Sequence, residues 1–230
     1  MMAPMSSESA AEDVLPAAGQ SRAGLLRGAA GRIETLLASP AGAPRGGVLV
    51  CHPHPLYGGA LSNKVTYSLA STALKAGFAA LRFNFRGVGK SEGRHDEGRG
   101  ETEDAVLLGE WLRARLPAGA PLVLAGFSFG SFIALKASLQ LRPAGLMSVA
   151  PPFGKYFGGE PAPPHPGCPW RVLHSRDDEV VAYDGTLVEL QRYVPMPELI
   201  TVDGCGHFFH GRLDEVQSAF SGLIGQAVAS

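Results

Sequence analysis

The chain has 230 residues, a formal net charge of −1 at pH 7 and 18% charged residues. This near-neutral balance lacks the basic footprint of a nucleic-acid-binding protein, so we expect no nucleic acid partner. No apolar run approaches the roughly 18 residues of a bilayer span, and the first residues lack the basic and apolar regions of a signal peptide. Three widely spaced cysteines fit a reducing compartment. We therefore expect a cytoplasmic protein without membrane contacts.

The first 22 residues are rich in Ala, Ser and Pro, and they contain few residues that could form a core. This composition predicts a disordered N-terminal tail over residues 1–22, followed by a single domain over residues 23–230.

Short apolar runs follow the tail at intervals. "RGAAGRIETLLASP" (27–40) predicts one or two strands, antiparallel to the rest of the sheet. The later runs are nearly continuous in apolar residues, which is typical of strands buried on both faces. They are "GVLVC" (47–51), "ALRFNF" (80–85), "LVLA" (122–125), "LMSVA" (146–150), "WRVL" (170–173) and "LITV" (199–202).

Helical stripes alternate with these strands, and this alternation predicts βαβ units. The α/β class therefore follows, with a mostly parallel, doubly wound sheet and helices on both faces. The crossover over residues 151–169 is dense in Gly and Pro and too short for a cap domain. The stripes are Leu61, Val65 and Leu69; Leu108 and Leu112; Phe132, Leu135 and Leu139; and Val216, Phe220, Leu223 and Ala227.

The segment "GFSFG" (126–130) lies between a predicted strand and a predicted helix. A G-x-S-x-G segment in this place is typical of a nucleophile elbow, in which a sharp turn exposes the serine at the carboxyl edge of the sheet. The amides of the new helix point at the same place. Ser128 is therefore the candidate nucleophile.

A serine hydroxyl needs a base, and the base needs a group that orients it. In folds with this elbow, the chain order is serine, then acid, then histidine. Asp177 and Asp178 follow a strand after Ser128, and only His207 and His210 come later. His207 lies in a strand-end loop of small residues, whereas His210 lies near the start of the last helix.

These segments together resemble the α/β-hydrolase superfamily, and specifically compact, lidless bacterial serine hydrolases related to the dienelactone hydrolases. The resemblance implies Ser128 as nucleophile, Asp178 as acid and His207 as base. Dienelactone hydrolases usually have a cysteine nucleophile, so the serine argues against that particular activity. The segments are "CHPHPLYGG", "NKV", "LRFNFRGVGKSEG", "EDA", "AGFSFG", "DDEVV" and "GHFFHG".

The segment "CHPHPLYGG" (51–59) contains one cysteine and two histidines, which also suggests a metal site. In related hydrolases this loop reads H-G-x-P, and its third residue donates a backbone N–H to the oxyanion. Pro53 and Pro55 have no N–H, so the donors would be His54 and Phe129, the latter following the nucleophile. No other Cys/His pair has metal-ligand spacing. We therefore expect an oxyanion hole and no metal.

Several apolar residues flank these positions and either contact the substrate or pack in the scaffold. "RFNFRGVGKSEG" (82–93) lacks the spacing of a dinucleotide-binding loop, and we interpret it as a structural turn that braces the elbow. The candidate substrate-binding residues are Leu56, Tyr57, Phe127, Phe153 and Phe208.

The sequence thus predicts a carboxylesterase that cleaves short-to-medium acyl esters through an acyl-enzyme, without a cofactor. Its partner would be a small-molecule ester, and assembly as a homodimer is left open. A thioesterase, lactonase or peptidase would use the same residues, because a fold does not define the leaving group. A non-catalytic binding module is a weaker alternative, because such modules typically lose a triad member and all three are present.

Overall fold

The structure, a computed structural model, describes residues 14–153 and 155–229. Its strands are β1 (Ser21–Gly28), β2 (Gly31–Ala38), β3 (Gly46–Cys51), β4 (Phe78–Phe83), β5 (Leu122–Phe127), β6 (Gly145–Val149), β7 (Trp170–Ser175) and β8 (Glu198–Val202). Its α-helices are α1 (Lys64–Lys75), α2 (Arg99–Arg113), α3 (Phe129–Leu141), α4 (Tyr183–Leu190) and α5 (Leu213–Ala229).

The strands form one eight-stranded sheet in the order β1-β2-β4-β3-β5-β6-β7-β8. The pairs β1–β2 and β2–β4 are antiparallel, and all other pairs are parallel. The central strands β3 and β5 are fully buried, as their continuous apolar runs predict. The predicted mostly parallel, doubly wound sheet is therefore confirmed. β2 runs antiparallel to the later strands, as predicted, whereas β1 pairs antiparallel with β2 and so runs in the same direction as the later strands.

Helices cover both faces of the sheet, and each face has its own core. Alternate residues of β5 divide between the two cores: Leu122 and Leu124 pack toward α2 and α3. Val123, Ala125 and Phe127 pack toward α1 and α5. The carboxyl ends of β3 and β5 lie side by side between these layers, and this is where a ligand crevice is expected.

The last residues of the segment predicted as a tail, 1–22, belong to the folded domain. β1 begins at Ser21, and the Ser39 hydroxyl donates to the carbonyl of Pro16 at 2.7 Å. The prediction of disorder for residues 1–13 lies outside the described residues.

The crossover between β6 and β7 forms turns and extended chain where the structure describes it, with no cap domain. No helix in residues 14–153 or 155–229 is long and apolar enough to cross a bilayer.

Candidate active site

Ser128 lies in a sharp turn between β5 and α3. Its φ is 52° and its ψ is −124°, a conformation that is strained for a residue with a side chain. The turn is held by a hydrogen bond of 2.8 Å from Ser128 N to the carbonyl of Val149, and by another of 2.8 Å from Ser131 N to the carbonyl of Ser128. Because α3 begins at the next residue, its first amides point toward the serine.

The two glycines of the elbow make this turn sterically possible. A Cβ on Gly126 would lie 2.2 Å from the carbonyl oxygen of Gly130. A Cβ on Gly130 would lie 2.3 Å from the carbonyl oxygen of His52. Both distances are far shorter than van der Waals contact, so glycine is required for this close approach of backbone to backbone.

His207 and Asp178 come together from the loops after β8 and β7. His207 Nδ1 lies 2.8 Å from Asp178 Oδ2, and both side chains are buried. The other carboxylate oxygen accepts hydrogen bonds from Val180 N at 2.9 Å and Val181 N at 2.6 Å.

Burial raises the pKa of Asp178, but the hydrogen bonds from His207 and from Val181 and Val180 outweigh it, so the net pKa lies below the ordinary 3.8. The carboxylate is therefore ionised at neutral pH and accepts the Nδ1–H of His207. This arrangement leaves Nε2 free to accept a proton.

The alternative acid and base have other partners. The Asp177 carboxylate accepts a hydrogen bond from Gly204 N, and it thereby ties the β7 loop to the β8 loop. His210 Nδ1 lies 2.8 Å from the Lys64 amino group on the exposed surface. Neither residue contacts His207 or Ser128 through a hydrogen bond among the described residues.

Glu179 is a residue of the site that the sequence does not reveal. Its carboxylate Oε2 accepts a hydrogen bond of 2.9 Å from the backbone N–H of His207. Thus three consecutive acids have three different tasks, and two of them fix the loop that presents the histidine. Only the run "DDE" (177–179) hints at this role, because the pairing depends on how two loops meet.

The backbone amides of His54 and Phe129 are available as donors. Neither N–H donates a hydrogen bond to another residue within 14–153 or 155–229. The two residues are neighbours, with ring centroids 4.8 Å apart. These are the two amides that the sequence predicts as oxyanion donors, and both lack a partner within the described residues.

The histidine side chains of "CHPHP" (51–55) are used within the protein. His52 Nδ1 donates to the carbonyl of Pro53 at 2.6 Å, and Nε2 accepts from Phe85 N at 2.9 Å. His54 Nδ1 accepts from Leu56 N at 3.2 Å. Burial lowers the pKa of His52 to about 3, and burial beside His95 lowers the pKa of His54 to about 4. Both rings are therefore neutral at neutral pH.

The described residues contain no group of three or more His, Cys, Asp or Glu side chains that could hold a metal ion.

A cleft of about 340 Å³ opens above the serine, and we call it the serine cleft. It brings together residues from the loops after β3, β5, β6, β7 and β8. Its lining residues are Pro53, His54, Tyr57, Gly58, Gly59, Asn63, Ser128, Tyr156, Val180, His207 and Phe208.

Known proteins with this architecture point to one family. A family model described as the alpha/beta hydrolase fold matches residues 48–167. An uncharacterised protein of Rickettsia prowazekii (strain Madrid E) is 34% identical in an alignment of 208 positions that covers 86% of this chain and 86% of that one. The chain belongs to the α/β-hydrolase family.

Solved structures agree with this assignment. A serine hydrolase without a lid from Xanthomonas campestris is 33% identical, with a TM-score of 0.83 over 93% of this chain and 96% of that one. A serine hydrolase homologue from Coxiella burnetii is 36% identical, with a TM-score of 0.79 over 87% of this chain and 95% of that one. The resemblance seen in the sequence is confirmed, and the fold supports hydrolase activity.

Of the five predicted substrate-binding residues of this α/β-hydrolase, Tyr57 and Phe208 line the serine cleft. Leu56 is exposed beside the cleft without lining it. Phe127 is fully buried, because its position on β5 points it into the core, where its ring lies 5.0 Å from that of His207. Phe127 therefore packs against the His207 ring from the core and does not contact the cleft.

Phe153 lies in a different cleft of about 610 Å³, formed by the crossover and by residues after α4. The charged residues of that cleft are paired: Glu160 with Lys136 at 2.9 Å, and Arg192 with Glu189 at 2.7 Å. Ser128 lines the serine cleft and not this larger one, so the larger cleft is not the candidate active site. Tyr156 takes a place in the serine cleft that the irregular crossover sequence did not reveal.

The segment after β4 makes polar contacts with neighbouring elements. Asn84 donates to Glu34 Oε2 at 2.8 Å and accepts from Leu61 N at 2.8 Å. Arg86 Nε donates to the buried Asp104 carboxylate at 2.8 Å. These bonds join β2, β4 and α2 beneath the site.

Proposed function

We propose that this α/β-hydrolase is a serine carboxylesterase that cleaves short-to-medium acyl esters through Ser128, His207 and Asp178. The observation that supports this best is the 2.8 Å contact between His207 Nδ1 and a buried, ionised Asp178. That contact fixes the imidazole in the tautomer that can accept a proton from a serine. Ser128 and His207 line the same cleft.

In this mechanism, His207 Nε2 removes the proton of the Ser128 hydroxyl as Oγ attacks the ester carbonyl. The negative charge develops on the carbonyl oxygen and is stabilised by the N–H groups of His54 and Phe129. His207 then protonates the departing alcohol, which leaves an acyl group on Ser128. Water, deprotonated by His207, attacks the acyl-enzyme in the same way and releases the carboxylic acid.

A fluorophosphonate probe tests this proposal directly. It should label Ser128 stoichiometrically, and Ser128→Ala should abolish labelling and lower ester hydrolysis by about 10⁶-fold. Ser71→Ala, on α1 away from the cleft, is the matched control and should react normally. Labelling of another residue, or full activity of Ser128→Ala, would refute the assignment, as would inertness toward all esters.

The same residues would serve a thioesterase, lactonase or peptidase. A panel of acyl esters, thioesters, lactones and amides, compared by kcat/KM, separates these activities from the proposed one.

A further inference from the structure

One side of the serine cleft is built from aromatic rings. The ring centroids of Tyr57 and Tyr156 lie 4.6 Å and 4.7 Å from that of His54. The two tyrosine rings are 6.0 Å apart and inclined at 50° to each other. These three side chains come from two separate loops, and they form a continuous aromatic surface beside Ser128.

A further ring lies beside the proposed base. Phe208 follows His207 directly, and their ring centroids are 5.1 Å apart at an angle of 83°. Aromatic rings therefore reach the cleft both from the loop after β3 and from the loop after β8. Aliphatic lining is restricted to Val180 and Pro53.

Two of these rings are exposed, Tyr156 is half-buried and His54 is buried. Tyr57 is 75% exposed and Phe208 is 39% exposed. Large apolar side chains that remain accessible at the mouth of a cleft are typical of ligand contact. His54 adds an uncharged ring, since its Nδ1 accepts a hydrogen bond from Leu56 N.

We propose that the serine cleft selects esters carrying a planar aromatic group over aliphatic esters of equal size. This proposal rests on the esterase function proposed above and names its substrate class. A phenyl ring can stack offset or edge-to-face on the adjoining rings of Tyr57 and Tyr156. A cyclohexyl ring has no π face and is puckered, so it gains only from burial of apolar area.

Two pairs of esters test the proposal. Methyl 3-phenylpropanoate and methyl 3-cyclohexylpropanoate have equal carbon skeletons and the same leaving group. The acetates of 2-phenylethanol and 2-cyclohexylethanol place the same rings on the alcohol side. Since cyclohexyl is the more hydrophobic ring, simple partition would favour it. We expect kcat/KM to favour phenyl in at least one pair, by about 2- to 10-fold for each ring that stacks.

Variants identify the rings responsible. Tyr57→Leu and Tyr156→Leu keep an apolar side chain but remove the π face, and each should reduce the preference for phenyl toward unity. Tyr57→Phe keeps the face and should retain the preference. Tyr67→Leu is the control, because Tyr67 is also exposed but lies on α1 outside the cleft.

Equal kcat/KM values for phenyl and cyclohexyl in both pairs would overturn the proposal. So would a preference that survives in both leucine variants. Failure of the esterase function gives a different result: no ester in either pair is hydrolysed, and the fluorophosphonate does not label Ser128. In that case both proposals fall.

Discussion

At the scale of single residues, the adjacent acids Asp177 and Asp178 have different partners and therefore different predicted effects. Asp178→Asn should lower kcat by up to about 10⁴-fold, because an amide N–H facing His207 Nδ1 would hold the ring in the tautomer that cannot accept the serine proton. Steady-state kinetics on a short acyl ester, together with a circular dichroism spectrum of the folded variant, measure this effect.

Asp177→Asn is the matched control. Its amide oxygen can still accept the hydrogen bond from Gly204 N, so we expect kcat within a few-fold of the parent. If Asp177→Asn lowered kcat more than Asp178→Asn, the choice of Asp178 as the acid would be wrong.

His52 should make the protein sensitive to acid. Burial holds its pKa at about 3, below the ordinary 6.5, so the unfolded chain takes up a proton first as the pH falls. The stability contributed by neutral His52 is therefore complete above about pH 6.5 and is lost progressively toward about pH 3. Between about pH 7 and 5 this loss amounts to about 2 kcal/mol of unfolding free energy.

Urea unfolding at both pH values, for the parent and for His52→Gln, measures this loss. The variant should be less stable at pH 7, because glutamine replaces the hydrogen bonds to Pro53 and Phe85 imperfectly. It should then lose about 2 kcal/mol less than the parent between pH 7 and 5. If both proteins lost the same unfolding free energy between pH 7 and 5, protonation of His52 would not be the cause of the loss.

At the scale of elements, the turn from β5 to α3 depends on backbone contacts that leave no room for a side chain. Gly126→Ala should destabilise the fold by about 1–3 kcal/mol or more, because its methyl group meets the carbonyl of Gly130. It should also lower kcat, since Ser128 is displaced. Thermal unfolding and ester kinetics measure the two effects.

Gly225→Ala is the control for this substitution. Gly225 lies on α5, and a Cβ there would have no neighbour within 4 Å. Alanine should stabilise that helix by about 0.5–1 kcal/mol. A Gly126→Ala protein as stable as Gly225→Ala would show that the elbow is not packed as described.

The elements that the sequence predicts well are those whose pattern is decided by burial. The apolar runs predict β3 to β7, because strands covered on both faces have no polar side. The run of β8 is also found, although this edge strand is only half-buried. Helix α4 (Tyr183–Leu190) was not predicted, because it buries only Thr186 and Leu190 and has no apolar stripe. The first predicted helical stripe includes Leu61, which lies before α1. The helix begins at Lys64, because the Asn63 side chain caps it by accepting hydrogen bonds from Val65 N and Thr66 N.

The candidate site shows the same contrast between regular elements, which the sequence predicts, and irregular loops, which it does not. Chain order and strand ends nominate Ser128 and His207 and leave Asp177 and Asp178 as candidate acids, because parallel strands deliver their carboxyl ends to one edge. The choice of Asp178 rests on the family resemblance. The contacts of Glu179 and Tyr156 depend on irregular loops, for which no periodic pattern exists. Phe127 and Phe153 were predicted near the substrate because they flank the site in sequence, but strand alternation and the crossover path send them elsewhere.

At the scale of the whole molecule, no segment within residues 14–153 and 155–229 forms a cap over the serine cleft, since the described part of the crossover adds no helical domain. Water therefore reaches the distal end of a long acyl chain. Each CH₂ buried contributes about 0.8 kcal/mol, and one left in solvent contributes almost nothing. For p-nitrophenyl esters, kcat/KM should rise from acetate to about butyrate or hexanoate and then level or fall.

This chain-length profile is measured with esters from acetate to dodecanoate below their critical micelle concentrations. Emulsified substrate should give no additional activation, because no lid has to open. If kcat/KM kept rising steeply to dodecanoate, the acyl chain would have to lie in an enclosed tunnel. The description of the serine cleft as open would then be wrong.

The position of β8 at the edge of the sheet also has a consequence for synthesis of the chain on the ribosome. β8 pairs only with β7, and the loop after it presents His207, whereas Ser128 follows the central strand β5. A nascent chain that has emerged only as far as α4 already contains Ser128 and Asp178, but not His207. In the proposed mechanism the chain therefore becomes reactive only when β8 has paired and the loop after it has emerged, and shorter translation products should not react with the fluorophosphonate.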